Sequence, residues 1–331
     1  MASNTFGNVF KIMTWGESHG RALGVVIDGC PAGLELKEED IQQELDQRKP
    51  GDSPLTSARK EPDRVQIFSG LFEGKTTGAP ISLIIFNEDV DSSHYDSVQH
   101  LYKPGHALFT YHQKYGIFDH RGGGRSSGRE TVCRVAAGAI AKKILSLQGI
   151  IPTARLRDNK LMDKIEEAKQ EGDSIGAVVE VEVPCLPSGL GDPVYEKLEA
   201  NLALAMLSIP AVKGFEIGSG FQSAAMKGSL HNDEFALDAH GNVITKTNHA
   251  GGTLGGISTG MPLLFRVAFK PTSSIKKPQK TLSLDHKPST FHLPEVSRHD
   301  PCIAVRALPV VEAMTALVLT DALLMARLSR L

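Results

Sequence analysis

Apolar side chains recur along this chain in two periods, and the two alternate. Residues 10–15 and 25–28 are short apolar runs separated by the polar stretch Gly16-Glu-Ser-His-Gly-Arg21, the pattern of paired strands joined by a turn that carries Ser, His and Arg. Residues 65–69 and 80–87 are rich in β-branched side chains and bounded by Gly, and 177–183 alternates strictly, so all three are predicted strands, as is 263–269. In the helical period, Val132, Val135, Ala136, Ala139, Ile140, Ile144 and Leu147 form one buried face. Residues 36–48 carry early acids and apolar Ile41 and Leu45 and stop at Pro50-Gly51, which predicts a surface helix. Helical spacing also marks 196–209, through Leu198, Leu202, Ala205, Met206 and Ile209, and 165–172 reads as a charged surface helix. Residues 309–328 are apolar on nearly every side with Pro309 in the first turn, which predicts a central helix or a subunit contact. Three stretches lack a period. Residues 89–116, with His94, His100, His106 and His112, form a long irregular segment of the kind that serves as a lid or a site, 150–163 is a short link, and 281–296 is a mobile polar loop.

Chemistry concentrates between these elements. His120-Arg-Gly-Gly-Gly-Arg-Ser-Ser-Gly-Arg-Glu-Thr131 sets a free backbone between arginines and feeds the Ala-rich helix. Ser127 and Glu130 stand at capping-box spacing, which predicts a helix start there, with Arg121, Arg125 and Arg129 adding charge to an anion-binding helix end. No Gly-Lys-Ser/Thr closes the stretch, so it is not a nucleoside-triphosphate loop. A second Gly-rich stretch, Asn248-His-Ala-Gly-Gly-Thr-Leu-Gly-Gly-Ile-Ser-Thr-Gly260, precedes the 263–269 strand, and Lys270-Pro-Thr-Ser-Ser274 follows it. Small hydroxyl and glycine residues at both ends of a strand suit phosphate contact by backbone N–H groups.

Composition narrows the classes. A chain of 331 residues buries a sizeable core, and a net charge of −2 argues against a nucleic-acid-coating surface. The cysteines, Cys30, Cys133, Cys185 and Cys302, are far apart and at no zinc spacing, as expected of reduced core residues. The N-terminal residues lack signal-peptide character, and Glu312 and Asp321 interrupt the most apolar region, so a soluble cytoplasmic protein without membrane contact is expected. Gly16-Glu-Ser-His-Gly lies between strands rather than on a strand-to-helix elbow, and no acidic cluster forms a metal cage, so arginines must neutralise any phosphate.

As a set, the segments resemble chorismate synthase. Gly16-Glu-Ser-His-Gly20, the 121–131 stretch, Arg134-Val-Ala-Ala-Gly-Ala-Ile-Ala141, the glycines of 251–256, Lys270-Pro-Thr-Ser-Ser274 and Arg298-His-Asp-Pro-Cys302 followed by Arg306-Ala-Leu-Pro-Val310 occur in that family's order across the whole chain. The resemblance implies an α+β layered β-α-β sandwich with apolar helices between antiparallel sheets, formed by one domain over 1–331 and assembled as a homotetramer. It also implies anti-1,4-elimination of phosphate from 5-enolpyruvylshikimate 3-phosphate to give chorismate in aromatic amino-acid biosynthesis. That reaction needs reduced FMN although it involves no net redox change.

The same resemblance implies roles residue by residue. Arg125, Ser126, Ser127, Gly255, Lys270, Pro271, Thr272, Ser273, Ser274 and Arg298 match FMN-binding positions. His19 matches the acid that assists the departing phosphate, and His106, in Lys103-Pro-Gly-His-Ala107, the one acting near the reduced flavin. Histidine suits both tasks because modest shifts hold it protonated near neutral pH. Asp300 matches the acceptor of the C6 proton, and Arg48, Arg129, Arg134 and Arg306 match or extend positions for substrate phosphate and carboxylates or for NADP. Gly51-Asp-Ser-Pro54 departs from the family's Gly-x-x-Arg, with Arg59 or Lys60 as substitutes. No added reductase segment is recognisable, which favours an outside flavin reductant over intrinsic NADPH activity. The rival from another class is a non-catalytic flavin- or phosphoanion-binding protein.

Overall fold

Residues 3–49, 61–89, 98–294 and 300–329 are described by a computed structural model of the chain. Strand Lys11–Gly16 turns Ile12 and Thr14 inward and leaves Met13 and Trp15 half-exposed on the outer face. It pairs antiparallel with Ala22–Asp28, where the Trp15 ring lies over Gly24 so closely that a Cβ there would sit 2.3 Å from the indole. Ala22–Asp28 pairs with Ile81–Phe86 in a register that sets Leu23 opposite Ile85, Val25 opposite Leu83 and Ile27 opposite Ile81. Thr5–Phe6 and Val65–Ile67 complete this antiparallel sheet at its two edges. A second antiparallel sheet runs Val212–Ile217, Leu263–Phe269, Ala177–Val183 and Thr153–Leu156. Its inner face carries Val179, Val181 and Val183 opposite Val267, Phe265 and Leu263, while Glu180 and Glu182 alternate outward.

The helices are α1 (Glu38–Arg48), α2 (Leu108–Tyr115), α3 (Thr131–Ser146), α4 (Leu161–Gln170), α5 (Leu198–Leu207), the single turn α6 (Gly228–His231) and α7 (Ala304–Ala326). Helix α1 packs on α3 and on the edge strand Val65–Ile67, and α3 lies against Ala22–Asp28. Helix α5 packs on Val212–Ile217, and α7 on Thr153–Leu156 and Ala177–Val183. Helices α3 and α7 meet at Gly138, where a Cβ would stand 2.4 Å from the Ala313 Cβ, so only glycine admits this approach. One hydrophobic cluster spans both sheets and these helices. By length and composition α7 could cross a membrane, but 78% of its most apolar window is buried inside the protein, which marks it as the core helix expected from its all-round apolarity. Near its end, Asp321 accepts the backbone N–H groups of Asn8, Val9 and Phe10 at 2.9, 2.7 and 2.8 Å, tying the first loop to the last helix.

Several expectations change. Helix α7 begins at Ala304, a turn before Pro309; buried Ala304 and Ala307 hold that turn against the one backbone bond the proline forgoes. The irregular stretch contains α2, ended by left-handed Gly116 at φ 71, whose N–H donates to the His112 carbonyl. The expected mobile loop holds instead the hairpin of Gln279–Leu282 with Pro288–Phe291, joined to Tyr102 by the 2.9 Å bond from its N–H to the Leu282 carbonyl. The short link contributes the edge strand Thr153–Leu156. The capping box does not form. Ser127 Oγ accepts from the Arg129 N–H of a 3-10 turn, Gly128–Glu130, and the Glu130 carboxylate accepts instead from Thr14 Oγ1 at 2.9 Å and Arg134 Nε at 2.9 Å.

Candidate active site

Two turns and one glycine run bring the histidines together. Strand Lys11–Gly16 ends at Gly16, φ 92, and the turn after it carries Ser18 and His19, with Ser18 Oγ 2.9 Å from His19 Nδ1. Gly122, Gly123 and Gly124 are all left-handed, at φ 65, 90 and 53, which L side chains rarely adopt. The run passes between the two imidazoles. A Cβ on Gly122 would lie 2.0 Å from His19 Cε1, and one on Gly123 would lie 3.1 Å from His106 Cε1 and Nε2. Consecutive glycines thus each seat one histidine.

These histidines open on a cavity of about 490 Å³ whose wall comes from segments far apart in sequence. One side is basic. Lys103 Nζ donates to Ser274 Oγ at 2.6 Å, and Lys270 Nζ to the Gly105 carbonyl at 3.0 Å. Burial pushes the Lys103 ammonium down to about 8 and lowers Lys270 as well, with Lys213 adding repulsion at the latter. The His106 imidazole is pushed down to about 4, first by burial and then by Lys103 and Lys270. Protein groups alone therefore keep His106 neutral at neutral pH, a correction to the protonated acid expected from its ordinary range. Thr272 Oγ1 donates to the Asp300 carbonyl at 2.8 Å and Ser126 Oγ to the Gly123 carbonyl at 2.7 Å, so the hydroxyl-bearing loops are fixed to their neighbours.

The opposite side is an arginine cluster around buried carboxylates. Asp63, fully buried, accepts from Arg48 Nη1 at 3.0 Å and, through its other oxygen, from Arg129 Nη1. Arg48 also donates from Nε to Thr131 Oγ1 at 3.1 Å and from Nη2 to the Gly128 carbonyl at 3.3 Å, and Arg129 Nε donates to Asn87 Oδ1 at 2.9 Å. Burial lowers the Arg48 guanidinium to about 10 against the opposing pull of Asp63; Arg306 and Arg129 push in the same direction as burial. It stays charged. Arg306 Nη1 donates to Asp300 Oδ2 at 2.8 Å. Two buried donors, Arg129 Nη2 and Arg306 Nε, have no hydrogen-bond partner among the described residues; Glu61 lies 3.8 Å from the former. Buried N–H groups of charged side chains without acceptors mark a place for an anion. Ile209, Phe291, Ile303 and Val310 supply an apolar wall beside this polar set, so the cavity sets apolar surface against a cluster of cations.

Of the residues singled out in the sequence, His19, His106, Asp300, Ser126, Ser127, Arg48, Arg129, Arg306 and the whole of Lys270-Pro271-Thr272-Ser273-Ser274 line this cavity. Three do not. Arg125 turns away and donates to the carbonyls of Gly16 and Thr14 at 3.1 and 3.2 Å, to Thr14 Oγ1 at 2.8 Å and to Asn4 Oδ1 at 3.3 Å, clamping the glycine run to the first sheet. Arg134 is held by Glu130 and donates to Ser208 Oγ at 2.6 Å. Gly255 sits in the tight turn between Thr253–Leu254 and Ile257–Ser258, outside the lining. Arg298, with His94, Pro54, Arg59 and Lys60, lies outside the described residues. Sequence reasoning passed over Asp63, Glu61 and the side-chain role of Lys103. The available signal for the first pair was their place among basic residues, Glu61 beside Lys60 and Asp63 beside Arg64.

Comparison with known proteins places this geometry. The chorismate synthase family profile matches residues 10–158 and 153–324. Chorismate synthase of Protochlamydia amoebophila is 56% identical over 367 residues, covering 100% of both chains, and that of Methanosarcina mazei is 49% identical over 98% of this chain and 97% of its own. A solved structure described as a crystal structure of chorismate synthase superposes with a TM-score of 0.74 at 31% identity, over 96% of this chain and 92% of that one.

Proposed function

The chain belongs to the chorismate synthase family and is a lyase that eliminates phosphate to give chorismate; we propose that it acts on 5-enolpyruvylshikimate 3-phosphate with reduced FMN in the cavity between the two histidines. The observation that carries this reading is the cluster of guanidiniums, Arg48, Arg129 and Arg306, that lines one cavity with His19, His106 and Asp300, with Arg129 Nη2 and Arg306 Nε left without an acceptor among the described residues. Those guanidiniums fit the phosphate and carboxylates of the substrate. Lys103 and Lys270, with the hydroxyls of Ser126, Ser127, Thr272, Ser273 and Ser274, fit a flavin phosphate and ring edge.

When bound beside these residues, reduced FMN would supply electron density to the allylic system. The protein groups do the rest. Arg48, Arg129 and Arg306, each held by a carboxylate, hold the substrate's anionic groups in place. His19, oriented by Ser18, gives a proton to the leaving phosphate. Asp300, fixed by Arg306, is the acceptor for the C6 proton. His106 is neutral beside two ammonium groups and takes up a proton when bound anions offset Lys103 and Lys270.

On the family's pattern the chain is one functional unit, a layered β-α-β sandwich and a homotetramer in the cytoplasm, supplied by an outside flavin reductant. The packing of α1 and α3 on one sheet and of α5 and α7 on the other supports the layering, and exposed Met13 and Trp15 support association through a sheet face. Incubation with chemically reduced FMN and substrate without air, with and without NADPH, tests both activity and reductant. No phosphate release with either would leave only a flavin- or phosphoanion-binding protein.

A further inference from the structure

Asp63 is the most buried charge at the site and belongs to none of the segments that carry the family pattern. It is 0% exposed, and its backbone is left-handed at φ 49, a conformation uncommon for residues other than Gly but tolerated by Asp. That backbone sets the carboxylate between two guanidiniums, one per oxygen. The two arginines depend on it unequally. Arg48 keeps two further acceptors, Thr131 Oγ1 and the Gly128 carbonyl. Arg129 has Asn87 Oδ1 on Nε and, on the Nη side, Asp63 at Nη1 and the more distant Glu61 at 3.8 Å from Nη2. A guanidinium is planar, so fixing Nε and Nη1 fixes the direction of the N–H groups on Nη2. The same contacts hold Arg129 in the cavity wall, with its Nη2 buried behind that wall.

We propose that Asp63 is a positioning residue for substrate: it holds Arg129, and with it Arg48, in the cavity wall where an anionic group of the substrate binds, and it cancels enough charge for the two guanidiniums to stand together. The inference rests on the function given above. Without the carboxylate, Arg129 turns about its Nε contact toward Glu61 and its place in the cavity wall is lost.

The test is a cycle of Asp63→Asn, Arg129→Gln and the double variant, reading substrate KM, kcat and FMN affinity separately. Asp63→Asn is expected to raise substrate KM roughly ten- to hundredfold, the range for losing one charge-assisted hydrogen bond, with FMN affinity within about twofold of the parent. The double variant, which removes opposite charges together, is expected to match Arg129→Gln alone, because both changes remove one interaction. It stays informative if Asp63→Asn alone does not fold. An unchanged KM, penalties that multiply in the double variant, or a parallel loss of FMN affinity would each overturn the proposal. If the parent enzyme releases no phosphate, the functional reading is what fails, and calorimetric titration of substrate into the same variants still decides on Asp63.

Discussion

Replacing Gly122 by Ala should separate chemistry from stability. The residue sits at φ 65, and its Cβ would stand 2.0 Å from His19 Cε1, 2.2 Å from Nδ1 and 2.8 Å from Ser18 Oγ. Carbon atoms rest at about 3.5 Å, so the imidazole must retreat by about 1.5 Å. The ring is the far end of a side chain and moves by χ rotation, at about 0.5–1.5 kcal/mol, and a left-handed alanine adds about 1–2 kcal/mol. The fold should therefore survive with a loss of about 2–3 kcal/mol. Turnover should not, since a displacement of about 1 Å at a reacting group costs on the order of 100-fold. Gly124→Ala is the control, because Gly124 is also left-handed, at φ 53, yet nothing lies within 4 Å of its Cβ position. It incurs the backbone strain without moving an imidazole. Single-turnover phosphate release without air, beside urea melts of both variants, reads the two effects. Equal loss of rate in both, or a normal rate in Gly122→Ala, would refute the role given to the His19 seat.

Three further outcomes can be measured. The His106 pKa falls from 6.5 to about 4 on folding, so the unfolded chain binds the extra proton between those values; stability should drop as pH falls from 6.5 toward 4, and His106→Gln should flatten that part of the urea-midpoint profile. Gly138→Ala should destabilise by about 1–3 kcal/mol despite better helix propensity, because its Cβ would lie 2.4 Å from that of Ala313; a raised urea midpoint would show that the helices can part freely. Asp321→Ala leaves the N–H groups of Asn8, Val9 and Phe10 without their acceptor and should cost at least about 2 kcal/mol in the same assay, whereas a change below about 0.5 kcal/mol would mean that water replaces the carboxylate.

Helix α3 was legible as a helix from its period, but it is buried on nearly every side rather than on one face, and Leu147, assigned to that face, is exposed. The strands Ala177–Val183 and Leu263–Phe269 were legible because each buries one face in a period of two. Thr153–Leu156 was not, since its side chains are exposed or half-buried and leave no apolar alternation. The Gln279–Leu282 hairpin is similarly polar and is held by bonds to Tyr102, a partner far away in sequence. At the site, the motifs located the cavity but not the direction of each side chain. Arg125 and Arg129 are four apart, as if on one helical face, yet the 3-10 turns Gly124–Ser126 and Gly128–Glu130 break that period and send one to the first sheet and the other to the cavity. His106 was expected charged because a sequence shows the residue and not the two ammonium groups folded beside it.

The bonds from the Asn8, Val9 and Phe10 amides to Asp321 also have a meaning in time. Their partners are separated by 313, 312 and 311 residues. At about 5–20 residues per second on a ribosome, those amides are made roughly 15–60 s before their acceptor. Helices α1 and α3, which pack on the first sheet, are complete by residue 146, so it is the entry loop that waits for the last helix, and its closure reports that the whole chain has been made.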